Sequence, residues 1–331
     1  MATIKDVAKA AGVSVATVSR VVNHSPQVSQ SALDAVTAAM KKLNYRPNAA
    51  ARALVNQTTN YVGIVVNDAS DPFFGMLITA VDKVIRQFDK QLLIGCGYHN
   101  ANDERRALEF LINSGCESII LHAKGLSDQE IRDYCQRVRG LVIINRSVDG
   151  IEERCVSLDN YHGAFIATTH LIKQGHRQIA CVASDQDIED THERIRGYSD
   201  ALTQHGIALT QNYIESGTPT AEGGSTAMMN LLSKSLEITA VVAYNDYMAA
   251  GVFETLEENG LNVPENISVV GFDDALIAQF VRPRLTTVRY PIAIMAQHAA
   301  QLALALPSQN STEITTSFTP TLVLRNSTAT L

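Results

Sequence analysis

Apolar positions change character along the chain. In residues 4–43 they recur at helical spacing. Ile4, Val7, Ala8 and Ala11 share one face, Val18 and Val21 another, and Leu33, Val36, Met40 and Leu43 a third. Three short helices are expected, at 4–11, 15–23 and 31–43, with these side chains as a small common core. From residue 61 onward short β-branched runs take over, at 62–66, 91–96, 118–122, 141–145, 155–158, 178–183, 240–244 and 268–272. Helix-length stretches separate most of them, at 75–88, 102–114, 161–174, 191–205, 221–233 and 246–259. This alternation predicts parallel βαβ units with both sheet faces covered. The strands are too many for one ordinary sheet, so two lobes are expected. The first passage between lobes falls at 148–154, with returns at 286–290 and 320–325. The fold class is therefore an all-α head followed by an α/β two-lobed body.

Local signals sharpen the head. Thr3 stands three residues before Asp6, a capping-box spacing that opens the first helix. Gly12 permits the positive φ of a tight reversal, and Ser14 caps the second helix. That pair reads as a helix-turn-helix, although a three-helix bundle without a nucleic-acid role has the same spacing. The second helix is short of bulky charged groups at its leading end, which suits entry into the DNA major groove. Arg20 is its side chain able to grip guanine bidentately, and Val15 and Ala16 suit thymine methyls. Thr3, Ser14, Thr17 and Ser19 are candidate phosphate donors, with Asn23 at the helix end.

Charge supports this division. Residues 1–60 hold seven basic side chains against two acidic ones, a balance of +5, whereas the remaining 271 residues hold 20 against 32, or −12. A basic head on an acidic body confines contact with a polyanion to the head. Between them, Tyr45-Arg46-Pro47-Asn48-Ala49-Ala50-Ala51-Arg52-Ala53-Leu54-Val55 is helix-prone but too short to be stable alone. A marginal helix there fits a switch, and Leu54 fits a minor-groove wedge with Asn48 and Ala51 beside it. The expected domains are a helix-turn-helix unit at 1–46, a hinge and linker at 47–60, and an effector-binding and dimerisation body at 61–331.

In parallel sheets, ligands gather at the carboxyl ends of the strands. That rule nominates Asn67-Asp68, Asp71, Phe73, Phe74, Asn145, Arg146, Asn245, Asp246 and Asp273-Asp274. Carboxylates and carboxamides beside aromatic rings suit a sugar, whose hydroxyls donate and accept while its C–H face stacks on a ring. Singly, Asp71-Pro72 also fits a turn, and Asp246 and Asp273-Asp274 also fit helix caps.

Other classes are poorly supported. Gly95-Cys96-Gly97 lacks the third glycine of a dinucleotide loop, and no phosphate-loop, nucleophile-elbow or zincin motif is present. His162, His170 and His176 are too irregularly spaced for a metal set. Neither catalysis, a cofactor nor a metal is expected. The five cysteines form no Cys-x-x-Cys pair and read as buried free thiols. No apolar run is long enough to span a bilayer, and no signal-like segment opens the chain, so a cytoplasmic location without membrane contact is expected.

The stretches 2–8, Gly12 to Asn23 and Tyr45-Arg46-Pro47-Asn48 resemble the lactose-repressor/galactose-repressor family of bacterial transcription regulators. So do Ser70-Asp71-Pro72-Phe73-Phe74, Ile144-Asn145-Arg146, Arg194-Ile195-Arg196-Gly197-Tyr198, Tyr244-Asn245-Asp246 and Gly271-Phe272-Asp273-Asp274. Residues 93–100 and 281–291 resemble the galactose repressor and isorepressor branch. The resemblance implies a sensor with the fold of periplasmic sugar-binding proteins, and a homodimer on pseudo-palindromic double-stranded operator DNA. It implies that Val15, Ala16 and Arg20 read the major groove while paired Leu54 side chains enter the minor groove. Arg194, Asn245 and Asp273 are expected to hydrogen-bond the effector, with Asn145 and Asp71 acting from the other lobe and Phe73 or Phe74 stacking. D-galactose is the expected effector, lowering operator affinity; a different sugar is the alternative within the family. A periplasmic-type receptor has the same lobes but needs a signal peptide where this chain has its head.

Overall fold

The computed structural model describes residues 2–22, 27–45, 60–208, 210–308 and 314–331. The chain divides into two compact units, 1–59 and 60–331.

In the first unit, α1 (Ile4–Ala11), α2 (Val15–Val22) and α3 (Gln30–Lys42) pack around Val7, Ala8, Val18, Val21, Val36 and Ala39. Thr3 and Asp6 form the reciprocal capping box, and Gly12 turns the chain at φ 68°. The third face differs from expectation in one residue. Leu33 points outward, 37% exposed, and Ala39 occupies the core instead. The smaller side chain allows closer helix approach in so small a core. The candidate residues Asn23, Asn48, Ala51 and Leu54, and most of the expected hinge, lie outside the described residues.

The second unit contains two six-stranded sheets. The first lobe uses β1 (Tyr61–Val66), β2 (Gln91–Cys96), β3 (Ser118–Leu121), β4 (Gly140–Ile144) and β5 (Cys155–Leu158). Its helices are α4 (Pro72–Ile85), α5 (Ala101–Asn113) and α6 (Asp128–Arg137). The second lobe begins with α7 (Asn160–Lys173) and β6 (Ile179–Ser184), followed by α8 (Glu189–Gln204) and β7 (Ile214–Gly217). It continues through α9 (Ala221–Ser233), β8 (Ala240–Ala243), α10 (Asp246–Glu258), β9 (Ser268–Asp273), α11 (Leu276–Phe280) and β10 (Thr286–Arg289). Helix α12 (Ile292–Ser308) then packs on the first lobe, before β11 (Ser317–Phe318) and β12 (Thr321–Val323).

Strand order is β11-β5-β4-β3-β1-β2 in one sheet and β12-β10-β9-β8-β6-β7 in the other. All pairs are parallel except β10 with β12. Central strands are buried on both faces, as helices on each side require: every residue of β4 and β8 is buried.

The first passage between lobes is not at 148–154. Cys155–Leu158 still belongs to the first sheet, pairing Ile143 with Cys155, so the chain crosses between Leu158 and Asn160. It returns at Tyr290-Pro291 and crosses again at Thr319-Pro320, because β11 lies in the first sheet and β12 in the second. Helix α4 begins at Pro72 rather than 75: Asp71 accepts the Phe73 N–H at 2.8 Å, and proline at the first helical position costs no hydrogen bond. No helix among the described residues is long and apolar enough to cross a membrane. The five cysteines are free; burial pushes the Cys116 and Cys155 thiols up to about 11.

Candidate functional site

The leading end of α2 is built for contact. Val18 and Val21 turn inward, which leaves Val15, Ala16 and Arg20 exposed on the opposite side. Val15 is 41% exposed at the start of the helix. Ser14 Oγ accepts the Thr17 N–H at 3.1 Å and lies 2.9 Å from Thr17 Oγ1, so the two hydroxyls are held together at the helix start. Thr3 Oγ1 donates to Asp6 at 2.8 Å, which commits its proton to the cap. Ser19 is half-buried.

In the second unit, the carboxyl ends of the parallel strands of both lobes face one another. From the first lobe come Asn67 after β1, His99 after β2, His122 and Lys124 after β3, and Asn145 after β4. From the second come Asp190 at the start of α8, Arg194 one turn on, Tyr244 after β8, Asp273 at the end of β9 and Tyr290 after β10.

A buried ion pair joins the lobes. Lys124 Nζ lies 2.7 Å from Asp190 Oδ1, and their side chains are 2% and 8% exposed. Lys124 also donates to the Asn145 carbonyl, and Asn145 Nδ2 donates to Asp190 Oδ2 at 2.8 Å. Burial alone would raise the Asp190 carboxyl, but Lys124 and Arg194 outweigh it and hold the group below its usual range. Burial and the Lys124 charge push the His99 imidazole down to about 4 and His122 to about 3, so both are neutral at physiological pH.

Arg194 organises the second lobe. Its Nε donates to Asn160 Oδ1 at 2.9 Å and its Nη1 to the Tyr244 carbonyl at 2.5 Å. The guanidinium stands 3.6 Å from the Phe272 ring centroid and 4.5 Å from that of Tyr244. Asp273 Oδ1 is 3.7 Å from Arg194 Nη2, beyond hydrogen-bond reach. Burial therefore dominates at Asp273 and raises its carboxyl to about 7, against the pull of Arg194 and with Asp71 and Asp190 adding repulsion. Asp246 is also raised, by burial and by Asp273, while Thr287 and the Ala275 N–H hydrogen-bond it. Asp71 is raised by burial, opposed by its bond from Phe73.

The cleft holds polar atoms without partners. Asn67 Oδ1, His99 Nδ1, His122 Nδ1, Asn145 Oδ1 and the Tyr290 hydroxyl are buried with no hydrogen bond. Unmade hydrogen bonds on buried groups are costly, so their convergence marks a place for a polar ligand. Phe73 is half-buried and meets Tyr290 edge-on, with ring centroids 5.1 Å apart.

Of the nominated residues, Asn67, Asp71, Phe73, Asn145, Arg194 and Asp273 are brought to this cleft. Phe74 is turned into the first lobe, 5% exposed and edge-on to His122. Arg146 is committed to its own lobe, donating to the Leu126 carbonyl at 2.8 Å and pairing with Asp128 at 2.6 Å. Asn245 caps α10 by accepting the Met248 N–H at 2.8 Å and donates to the Pro219 carbonyl. Asp68 folds back on Ser70, and Asp274 pairs with Arg289 and Arg325. Lys124, Asp190, His99, His122, Asn160 and Tyr290 were absent from the sequence-based set. The strand-end rule applied to β2, β3 and β10 leads to His99, to His122 and Lys124, and to Tyr290, whereas Asp190 and Asn160 sit in first helical turns that carry no such marker.

A helix-turn-helix head and a two-lobed body with a polar cleft between its lobes define a ligand-responsive DNA-binding regulator. Residues 3–48 match the model for bacterial regulatory proteins of the lacI family, and residues 168–328 match a periplasmic binding protein-like domain. The chain is 51% identical to the HTH-type transcriptional regulator GalR of Escherichia coli K12, covering all of this chain and 96% of that one. It is 50% identical to the HTH-type transcriptional regulator GalS of Salmonella typhimurium LT2, over 99% of this chain and 97% of that one. A solved lac repressor dimer bound to operator and the anti-inducer ONPF is 26% identical, with a TM-score of 0.86 over 99% of both chains. The chain belongs to the lacI family of bacterial regulatory proteins. It is a DNA-binding transcriptional regulator.

Proposed function

We propose that this regulator is a repressor that binds a pseudo-palindromic operator as a homodimer in the cytoplasm and releases it when D-galactose enters the cleft of 60–331. Identity to GalR and GalS over essentially the whole chain favours galactose among sugars. The observation that carries the reading is the convergence of unpartnered buried polar atoms with Asp273 and Arg194 between the lobes. A hexose offers hydroxyls that donate to Asn67 Oδ1, Asn145 Oδ1 and Asp273 and accept from Tyr290, while its C–H face meets Phe73. Asp71 acts from the first lobe. Asn245 supports the cleft by fixing the start of α10, and Arg146 by fixing the loop that carries Lys124. On the DNA side, Arg20 reads guanine, Val15 and Ala16 meet thymine methyls, and Ser14, Thr17 and Ser19 contact phosphates. Domain limits of 1–46, 47–60 and 61–331 follow, with Asn23, Asn48, Ala51 and Leu54 completing the DNA contacts.

Sugar changes the lobe arrangement, and the 47–60 segment conveys that change to the head. The test is titration of a labelled palindromic operator with and without galactose, with glucose and lactose as comparison sugars. Operator affinity falls in galactose and changes little in the others. Unchanged or increased affinity in galactose rules out the inducer role.

A further inference from the structure

Apart from the cleft, the second lobe carries a concentration of arginines. Arg282, Arg284, Arg289 and Arg325, with Asp274, Gln279 and Phe280, line a recess of about 300 Å³, at the small end of ligand-pocket sizes. Four guanidiniums meet one carboxylate here, although acidic residues outnumber basic ones in the chain beyond residue 60.

The carboxylate is already shared. Asp274 takes Arg289 Nε at 2.9 Å on one oxygen and Arg325 on the other, and Arg325 also donates to the Leu285 carbonyl at 2.8 Å. Arg282 Nη1 donates to the carbonyls of Gln279, Phe280 and Val281, which fixes its head over the end of α11 and leaves Nη2 unbonded. Arg284 is exposed; its backbone carbonyl accepts the Asn326 N–H at 2.9 Å, and its guanidinium makes no hydrogen bond or ion pair with any described residue. Convergent guanidiniums repel one another, and no acidic side chain among the described residues pairs with Arg282 or Arg284.

We propose that this recess is a binding site for a small anion of the phosphate class, either free phosphate or the phosphoryl group of a metabolite. A single carboxylate fills one guanidinium fork. A phosphoryl group presents three acceptor oxygens and close to two negative charges, which matches the spare donors of Arg282, Arg284 and Arg289 together. Asp274 adjoins Asp273, and both have positive φ, 111° and 55° for Asp273 and Asp274 respectively. An anion that draws Arg289 from Asp274 therefore acts on the residue next to the cleft.

The test is calorimetric titration of the full chain, in phosphate-free buffer at constant ionic strength, with inorganic phosphate and separately with glucose 6-phosphate. The wild type binds at least one of them more tightly than about 10 mM. Tighter binding of glucose 6-phosphate identifies a phosphorylated metabolite as the ligand; equal or tighter binding of inorganic phosphate identifies the free ion. Arg284→Ala weakens binding at least ~10-fold, and Arg284→Lys, which keeps the charge but not the fork, lies between. Arg284 is at the surface, so thermal unfolding of both variants should match the wild type. Absence of binding to either probe, or an Arg282→Ala/Arg284→Ala double variant with wild-type affinity, overturns the site.

Discussion

Burial, with Asp71 and Asp190 adding repulsion, raises the Asp273 carboxyl to about 7, and Arg194 stands too far away to reverse this. An unfolded aspartate releases its proton near pH ~4. Between pH ~4 and the folded value of about 7, the folded chain therefore binds a proton that the unfolded chain has lost. Its contribution makes stability fall as pH rises across that window and level off above it. Asp246, raised by burial and by Asp273, acts in the same direction. Asp273→Asn removes the ionisation and keeps a polar side chain of the same shape. Its unfolding midpoint should exceed that of the wild type at pH 8, with the gap closing toward pH 5, as followed by circular dichroism. At pH 8, where the wild-type carboxyl is ionised, galactose affinity should fall roughly 10- to 100-fold, the worth of a hydrogen bond to a charged group. A midpoint difference independent of pH contradicts the assigned protonation. The Lys124–Asp190 pair shows the opposite balance, because a direct contact at 2.7 Å compensates burial.

At the scale of elements, α9 and α10 approach so closely that their glycines leave no room for a methyl group. A Cβ on Gly251 would stand 1.8 Å from the Ala221 carbonyl oxygen, and one on Gly224 would stand 2.2 Å from that of Met248. The clashing atoms are backbone, so relief requires the helices to separate. Gly251→Ala should cost about 1–3 kcal/mol by overpacking, or more if the helices cannot part. Thermal unfolding should detect a drop of several degrees; an unchanged midpoint would show that the pair is not rigid. Much of this layer was legible beforehand. β1, β4 and β8 are unbroken apolar runs because they are covered on both faces, and α1 announces itself through Thr3, Asp6 and Gly12. Helix α6 was missed because only Ile131, Tyr134 and Cys135 are buried, although its Ser127–Glu130 capping box was available. Edge strand β7 has a single large apolar residue, Ile214, and β11 spans two residues, so neither carries a period. Site residues at strand ends, such as Asn145 and Asp273, could be read. Lys124 and Asp190 could not be paired, because their contact spans 66 positions and two lobes.

For the whole molecule, a basic head and an acidic sensor must communicate through one chain, and equilibrium thermodynamics constrains how. If galactose lowers operator affinity by some factor, saturating operator must lower galactose affinity by the same factor, commonly about 5- to 150-fold. Both legs can be measured on the full chain: operator binding by fluorescence anisotropy at zero and saturating galactose, and galactose binding by calorimetry with and without operator. Equal ratios are expected. Arg20→Ala separates the sites, because it removes the proposed guanine contact on α2 and leaves the cleft untouched. It should weaken operator binding by about 1–3 kcal/mol while galactose affinity of the DNA-free protein stays at the wild-type value. If that variant altered galactose binding without DNA, the head would influence the cleft directly. If galactose shifted operator affinity while operator left galactose affinity unchanged, the sugar effect would arise outside the cleft, because a single coupled cycle cannot give unequal legs.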